Sequence, residues 1–164
     1  MKLVILTLSA LLLSSCQSMH SNDHNSLFFS IPEGSTLSLN KEITISSSNT
    51  HGTIQSGRLI SDDAREFYDI NCRLYFEKFG HRLIEPEEFT ITRTEDGQNW
   101  VSQPSILRFY TEVYLTSNKD TDIIKMVCQI YGDANDRNFT VAEMQTALGN
   151  LVTIKYSITK HDNQ

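Results

Sequence analysis

Apolar residues recur at every second position over most of this chain, and that period belongs to β-strands with one buried face. Leu37 and Leu39 alternate with Ser38 and Asn40, and Ile43 and Ile45 with Thr44 and Ser46. Lys41-Glu42 between the two runs predicts a hairpin or a bend. Residues 53–60 predict a further extended stretch, with Gly57 as a bulge or a point of close approach. Residues 62–68 leave room for one helical turn. Over residues 71–79, Cys72, Leu74 and Phe76 share one face and Arg73, Tyr75 and Glu77 the other. Phe89-Thr90-Ile91-Thr92-Arg93 predicts a half-buried strand, and Glu95-Asp96-Gly97 predicts a turn after it. The longest predicted strand, residues 106–116, points Leu107, Phe109, Thr111, Val113 and Leu115 inward and Arg108, Tyr110, Glu112 and Tyr114 outward. Beyond a turn at Ser117-Asn118-Lys119-Asp120, Ile124, Met126, Cys128 and Ile130 form another inward row, alternating with Lys125, Val127, Gln129 and Tyr131.

One segment changes period. Val141, Met144, Ala147 and Leu148 recur at helical spacing. Thr140-x-x-Glu143 is a capping box, in which the hydroxyl accepts from one free backbone N–H and the carboxylate from another. Gly149 is the expected stop. Val152, Ile154, Tyr156 and Ile158 then return to strand spacing. The predicted fold is mainly β, a sandwich or a partly closed barrel of about seven to nine strands, with one C-terminal helix before the last strand.

The N-terminal residues MKLVILTLSALLLSSC break the pattern in another way. The apolar run from Leu3 to Leu13 is shorter than the roughly 20 residues that cross a bilayer, and it matches the apolar region of an export signal. Leu13-Ser14-Ser15-Cys16 resembles the bacterial lipobox, where small residues admit a peptidase and the cysteine thiol takes up the lipid. The expected organisation is a lipoprotein signal peptide over residues 1–15, lipidated Cys16 with a flexible polar tether over 16–30, and a single β-rich periplasmic domain over 31–160. Several acyl chains on Cys16 anchor a protein firmly. Gln17 stands where, in the enterobacterial sorting pattern this resembles, Asp retains a lipoprotein in the inner membrane, so the outer membrane is the expected location.

Of 164 residues, removal of 15 leaves 149, enough for one domain with a core. That mature part holds 13 Lys+Arg against 20 Asp+Glu. Such acidity argues against nucleic acid as a partner and against adhesion to anionic headgroups by charge alone. Cys72 and Cys128, 56 positions apart, are an even pair in an oxidising compartment, which predicts a disulfide. Two buried thiols or a redox pair are the alternatives, and the absence of Cys-x-x-Cys argues against a thioredoxin-like role.

Ile31-Pro32-Glu33-Gly34-Ser35-Thr36-Leu37 with Leu39-Asn40, Ile54-Gln55-Ser56-Gly57, Cys72-Arg73-Leu74, Ile84-Glu85-Pro86 through Phe89-Thr90-Ile91-Thr92-Arg93, Cys128, and Ala147-Leu148-Gly149 together resemble a family of small proteobacterial lipoproteins with a disulfide-bonded β domain. The resemblance spans most of the mature chain. It implies an exported β domain with paired cysteines, and it implies no activity.

Catalytic groupings are not evident in the sequence. No Gly-x-Ser-x-Gly elbow occurs. His51 and His81 read as exposed turn histidines, and Glu85, Glu87 and Glu88 as a solvated charge cluster. His20 and His24, four apart with Asp23 between them, have no helical pattern to align them and no third fixed ligand for a metal. No catalytic residue, cofactor or metal is therefore expected. The outward stripe of Arg108, Tyr110, Glu112 and Tyr114 is the candidate binding face, because Tyr and Arg are enriched where interfaces draw their energy. Either a partner or the helix of residues 141–148 is expected to cover it. The expected function is that of an outer-membrane lipoprotein, held to the membrane through Cys16, whose non-enzymatic domain binds another cell-envelope component such as a protein partner. A carrier of a small ligand or lipid, and a hydrolase acting on envelope polymers, are the alternatives.

Overall fold

The structure is a computed structural model that describes residues 21–157, so Cys16, the expected signal, His20 and Ile158 lie outside the described residues. The strands are β1 (Thr36–Leu39), β2 (Ile43–Ile45), β3 (His51–Gln55), β4 (Arg58–Ile60), β5 (Asn71–Phe76), β6 (Arg82–Ile84), β7 (Glu87–Ser102), β8 (Ile106–Ser117), β9 (Ile123–Gly132) and β10 (Val152–Lys155). One helix, α1 (Val141–Leu148), precedes the last strand, and a 3-10 turn occupies Asp62–Ala64. Eight strands form one antiparallel sheet in the order β10-β1-β7-β8-β9-β5-β3-β4, curled into a half-barrel, while β2 and β6 make a second, small sheet. The mainly β fold with a helix before the final strand is thus as expected, in its partly closed barrel form. Among the described residues, no helix is long and apolar enough to cross a membrane.

Alternation selects which side chains fill the half-barrel. Leu37, Leu39, Ile54, Leu74, Phe89, Ile91, Val113, Leu115 and Met126 project inward and are buried. Ile43, Ile45 and Ile84 of the small sheet and Val141, Met144 and Leu148 of α1 close over them into one continuous core. Cys72 and Cys128 lie opposite each other on neighbouring β5 and β9, both fully buried, and are joined by a disulfide.

The helix begins and ends as its sequence dictates. The Thr140 hydroxyl accepts from the Glu143 amide at 3.2 Å, and Glu143 accepts from the Thr140 amide at 2.7 Å. Arg137 grips the same carboxylate through both terminal nitrogens, at 3.0 and 2.7 Å. The Arg137 hydrogen bonds, helped by those from Thr140 and set against a burial penalty, pull the Glu143 carboxyl down to about 2. A depressed carboxyl stabilises the fold fully above its unfolded value and loses that contribution as pH falls through the folded one. Wild-type stability, measured by urea unfolding, should therefore fall more between about pH 5 and pH 2 than that of Glu143→Gln, which keeps a capping amide but has no proton to take up. Equal slopes would remove this carboxylate from the acid response.

Four local readings need correction. Residues 53–60 are a hairpin, not one stretch: Ser56 and Gly57, both at positive φ, turn β3 into β4. Gly57 is nevertheless a close-approach site, since a Cβ there would lie 3.3 Å from the Gly149 Cα. Glu95-Asp96-Gly97 is not a turn either. It sits within β7, paired with Glu112, Thr111 and Tyr110, and the chain reverses only after Ser102. Cross-strand pairing has overridden the local turn chemistry. At the start of β9 a register shift opposite Tyr75/Phe76 buries Ile123 and exposes Ile124, the reverse of the expected facing.

The fourth correction concerns the tether. Residues 21–30, assigned to it from their polarity, are docked on the domain. The His24 carbonyl accepts from the Ala142 amide, a donor that the first turn of α1 leaves free. The His24 ring packs against Phe29 and Tyr156, with centroids 5.1 and 4.6 Å away.

The two rims of the large sheet end differently. β4 is three residues long. On β10, the Gln145 side chain of α1 donates to the Val152 carbonyl at 2.8 Å and accepts from the Ile154 amide at 2.9 Å. β1 reaches only Glu87–Thr90 of β7, and Ile91 bonds to the Gly34 and Ser35 backbone, so residues 92–102 run on beyond it.

Candidate binding face

The four stripe residues project from the outer face of β8 by simple alternation, and the strand order extends that face well beyond β8. Tyr114 pairs with Lys125, Lys125 with Tyr75, and Tyr75 with His51. Glu112 pairs with Val127, Val127 with Arg73, and Arg73 with Thr53. Side chains from four strands, distant in sequence, therefore form one polar and aromatic surface. The helix does not cover it, because α1 packs its buried residues into the core on the opposite face.

None of the stripe residues stands alone. Arg93 lies over the Tyr114 ring at 3.7 Å, and the Tyr114 hydroxyl donates to Glu112 at 2.6 Å. Lys125 pairs with the other Glu112 oxygen at 2.8 Å. Burial alone would raise the Glu112 carboxyl, but the Lys125 and Tyr114 hydrogen bonds and the Lys125 charge hold it below its ordinary value. That hydrogen bond to Glu112 pushes the Tyr114 hydroxyl up. Tyr110 folds over Gly97 so closely that a Cβ there would meet its ring at 2.5 Å. A side chain at Gly97 would therefore displace the far end of the Tyr110 ring. Arg108 lies over Tyr110 at 4.6 Å and donates to Asn99 at 2.9 Å and to Gln129 at 3.3 Å.

Gln129 leads into a buried polar ladder with Asn71 and Gln55, which residue pairing places side by side. The ladder is buried because the loop over residues 62–70 lies across it. The Gln55 amide donates to the Glu66 and Asp69 carbonyls at 2.8 and 3.2 Å, and its oxygen accepts from the Glu66 amide at 3.0 Å. The Phe67 carbonyl accepts from the Tyr131 amide, tying the loop to β9.

Where loop meets sheet, one carboxylate gathers three donors. Asp62 binds the His51 ring at 2.7 Å, the Thr53 hydroxyl at 2.6 Å and Arg73 at 3.1 Å. Burial would raise it, but the Thr53 and His51 hydrogen bonds and the Arg73 charge hold it below the ordinary carboxylate range. His51 is accordingly not an exposed turn histidine. It opens β3, and its side chain is 15% exposed. Beside it lies a cleft of about 410 Å³ lined by Ser46, Ser48, Asn49 and Asp63 among others. Among the described residues no hydroxyl is hydrogen-bonded to the His51 ring, and the Thr53 hydroxyl donates to Asp62 instead.

Of the glutamates expected to be a solvated cluster, Glu85 and Glu88 are exposed and Glu87 is not. Glu87 is buried, accepting from the Ser117 and Thr121 hydroxyls, and Glu88 is engaged by Ser38 and Lys155. Glu87 ties β7 to the end of β8 and the loop after it, and Glu88 ties β7 to β1 and β10.

The stripe and its continuation through Arg73 and Tyr75 were readable from alternation. The Asp62 cluster and the loop above it were not, because nothing in the local sequence places residue 62 against residues 51, 53 and 73. The buried amides of Gln55, Asn71 and Gln129, at outward positions of three strands, were the available signal that something covers this face. Comparison with known protein families, with curated proteins and with solved structures finds no match to this chain.

Proposed function

We propose that this chain is an outer-membrane lipoprotein of the small proteobacterial type, anchored through lipid on Cys16, whose non-enzymatic β domain binds another cell-envelope component on the outer face of its sheet. The supporting observation is the continuity of that face. Arg108, Tyr110, Glu112 and Tyr114 join Arg93, Lys125, Tyr75 and Arg73 across neighbouring strands, held in place by mutual contacts. Aromatic side chains, and arginines already held by their neighbours, have less freedom left to lose on binding, which favours them as anchors.

The experiment has two arms. Cys16→Ser should leave the chain unprocessed or release the domain from the outer-membrane fraction; a variant still processed and still fractionating there removes the anchor. Tyr110→Ala with Tyr114→Ala should stay folded and lose the envelope component that crosslinks to wild type in native membranes. Retention of that component by the folded double variant removes the stripe as its docking site.

A further inference from the structure

The segment that leads into the domain is folded back on itself and fixed in place. The Ser21 amide donates to the Phe28 carbonyl at 3.2 Å, closing residues 21–28 into a loop. Inside that loop the Ser26 amide donates to the Asp23 carbonyl at 2.8 Å, and the Asn25 amide to the Asp23 carboxylate at 2.9 Å. The His24 carbonyl ties the loop to α1 through Ala142, and the Phe29 ring stands edge-on to Tyr156 at 5.3 Å. Phe29 is partly buried against the core. Leu27 and Phe28 take no share in that packing and are 46% and 52% exposed.

Covalent reach decides where these two residues can go. Ser21 follows Cys16 by five residues. Five residues span at most about 18 Å in any conformation. A compact domain of this length is roughly 35–40 Å across. Lipid on Cys16 would therefore hold Ser21, and Phe28 bonded to it, near the headgroups, and the leash is too short for the domain to turn its far side to the bilayer. Single exposed apolar residues are ordinary on a protein surface. Leu27 and Phe28 differ in being adjacent and in being bound so closely to the anchoring position. The other exposed large apolar residues, Phe79, Leu83 and Trp100 among them, lie on or beside β6 and β7 and have no covalent tie of that length.

Charge indicates which kind of membrane contact this is. Residues 17–30 contain Asp23 and no Lys or Arg, so attraction to anionic headgroups has nothing to act through here. Apolar area is what the segment offers, and Leu and Phe side chains bury well at the boundary between headgroups and acyl chains. We propose that Leu27 and Phe28 rest in the lipid interface beside the acyl chains of Cys16, as a second membrane contact that sets how the domain sits on the bilayer. The inference rests on the lipidation of Cys16 and goes beyond it, because an anchor alone leaves the domain free to tilt.

The test uses the full-length chain, purified from membranes and placed in phosphatidylcholine vesicles whose acyl chains carry bromine near the headgroup. The chain has one tryptophan, so Trp100→Phe with Phe28→Trp leaves a single reporter at position 28. Its fluorescence should fall by about half relative to vesicles without bromine, and neither salt nor added phosphatidylglycerol should be needed. Adding Leu27→Asp, which charges an exposed position, should reduce that quenching several-fold while leaving the melting temperature unchanged. Flotation with the vesicles reports the anchor separately. A protein that floats with its reporter unquenched, quenching that survives Leu27→Asp in the folded protein, or quenching that appears only with phosphatidylglycerol would each overturn the membrane contact while the anchor stands. A protein that fails to float overturns the anchor and this contact with it.

Discussion

Replacing Cys72 and Cys128 together with alanine is expected to lower the melting temperature by roughly 10–20 °C. The bond closes a loop across 56 positions, and restricting the unfolded chain by that much contributes about 4 kcal/mol in the chain-entropy account. The folded state should survive the change. Cys72 and Cys128 are opposed in a regular antiparallel ladder that continues on both sides, so β5 and β9 remain paired without the sulfurs. Both positions are fully buried and alanine keeps them apolar, so most of the loss comes from a freer unfolded chain and the remainder from a small void. Thermal and urea unfolding of the double variant measure the effect. A drop of less than about 5 °C would show that the unfolded chain is already compact around this pair.

Gly149→Ala is expected to cost about 4 kcal/mol, as two penalties fall on one residue. Gly149 ends α1 at φ 56° and ψ −137°, a conformation that a side chain strongly disfavours. Its Cβ would also stand 2.7 Å from the Gly57 Cα, and backbone cannot rotate out of the way. The helix end and the β3–β4 turn meet at this point, so a methyl group there separates two parts of the fold. Gly34→Ala isolates the first penalty: Gly34 has φ 77°, but a Cβ there meets nothing within 4 Å. Urea unfolding should place Gly34→Ala about 1–2 kcal/mol below wild type and Gly149→Ala clearly lower. Equal losses would mean that the two backbones part without cost.

Gly149 and Gly57 also illustrate what the chain discloses locally. The helix stop and the close approach were each legible from one residue and its neighbours. That the two glycines touch each other was not, because β3 and α1 are brought together only by the curl of the sheet. Strand faces follow the same division. Alternation in β5 and β8 needed no partner to be read, whereas Ile123 and Ile124 exchanged roles through a shift in pairing with β5. Glu95-Asp96-Gly97 misled for a related reason: its composition suits a turn, but Tyr110 on β8 occupies the space above Gly97 and makes a strand position of it. Of the outer face, the part on single strands was legible and the part built by the loop over residues 62–70 was not. The amides that hold this loop join positions 55, 66 and 69 through contacts that leave no periodic trace.

A half-barrel that stops short of closing leaves two rims open to an added strand from another copy, and exposed strand edges are the usual seeds of runaway polymerisation. Gln145 imitates a peptide group at the β10 rim, engaging both the carbonyl and the amide that an incoming strand would need. At the far rim, β4 is too brief to template a lasting ladder. The length of β7 that outruns β1 bears Arg93, Glu95 and Asp96, and charges at such an edge discourage an incoming strand. Crowding many copies onto one surface should therefore leave them as separate molecules, with their broad faces free and their edges closed to growth.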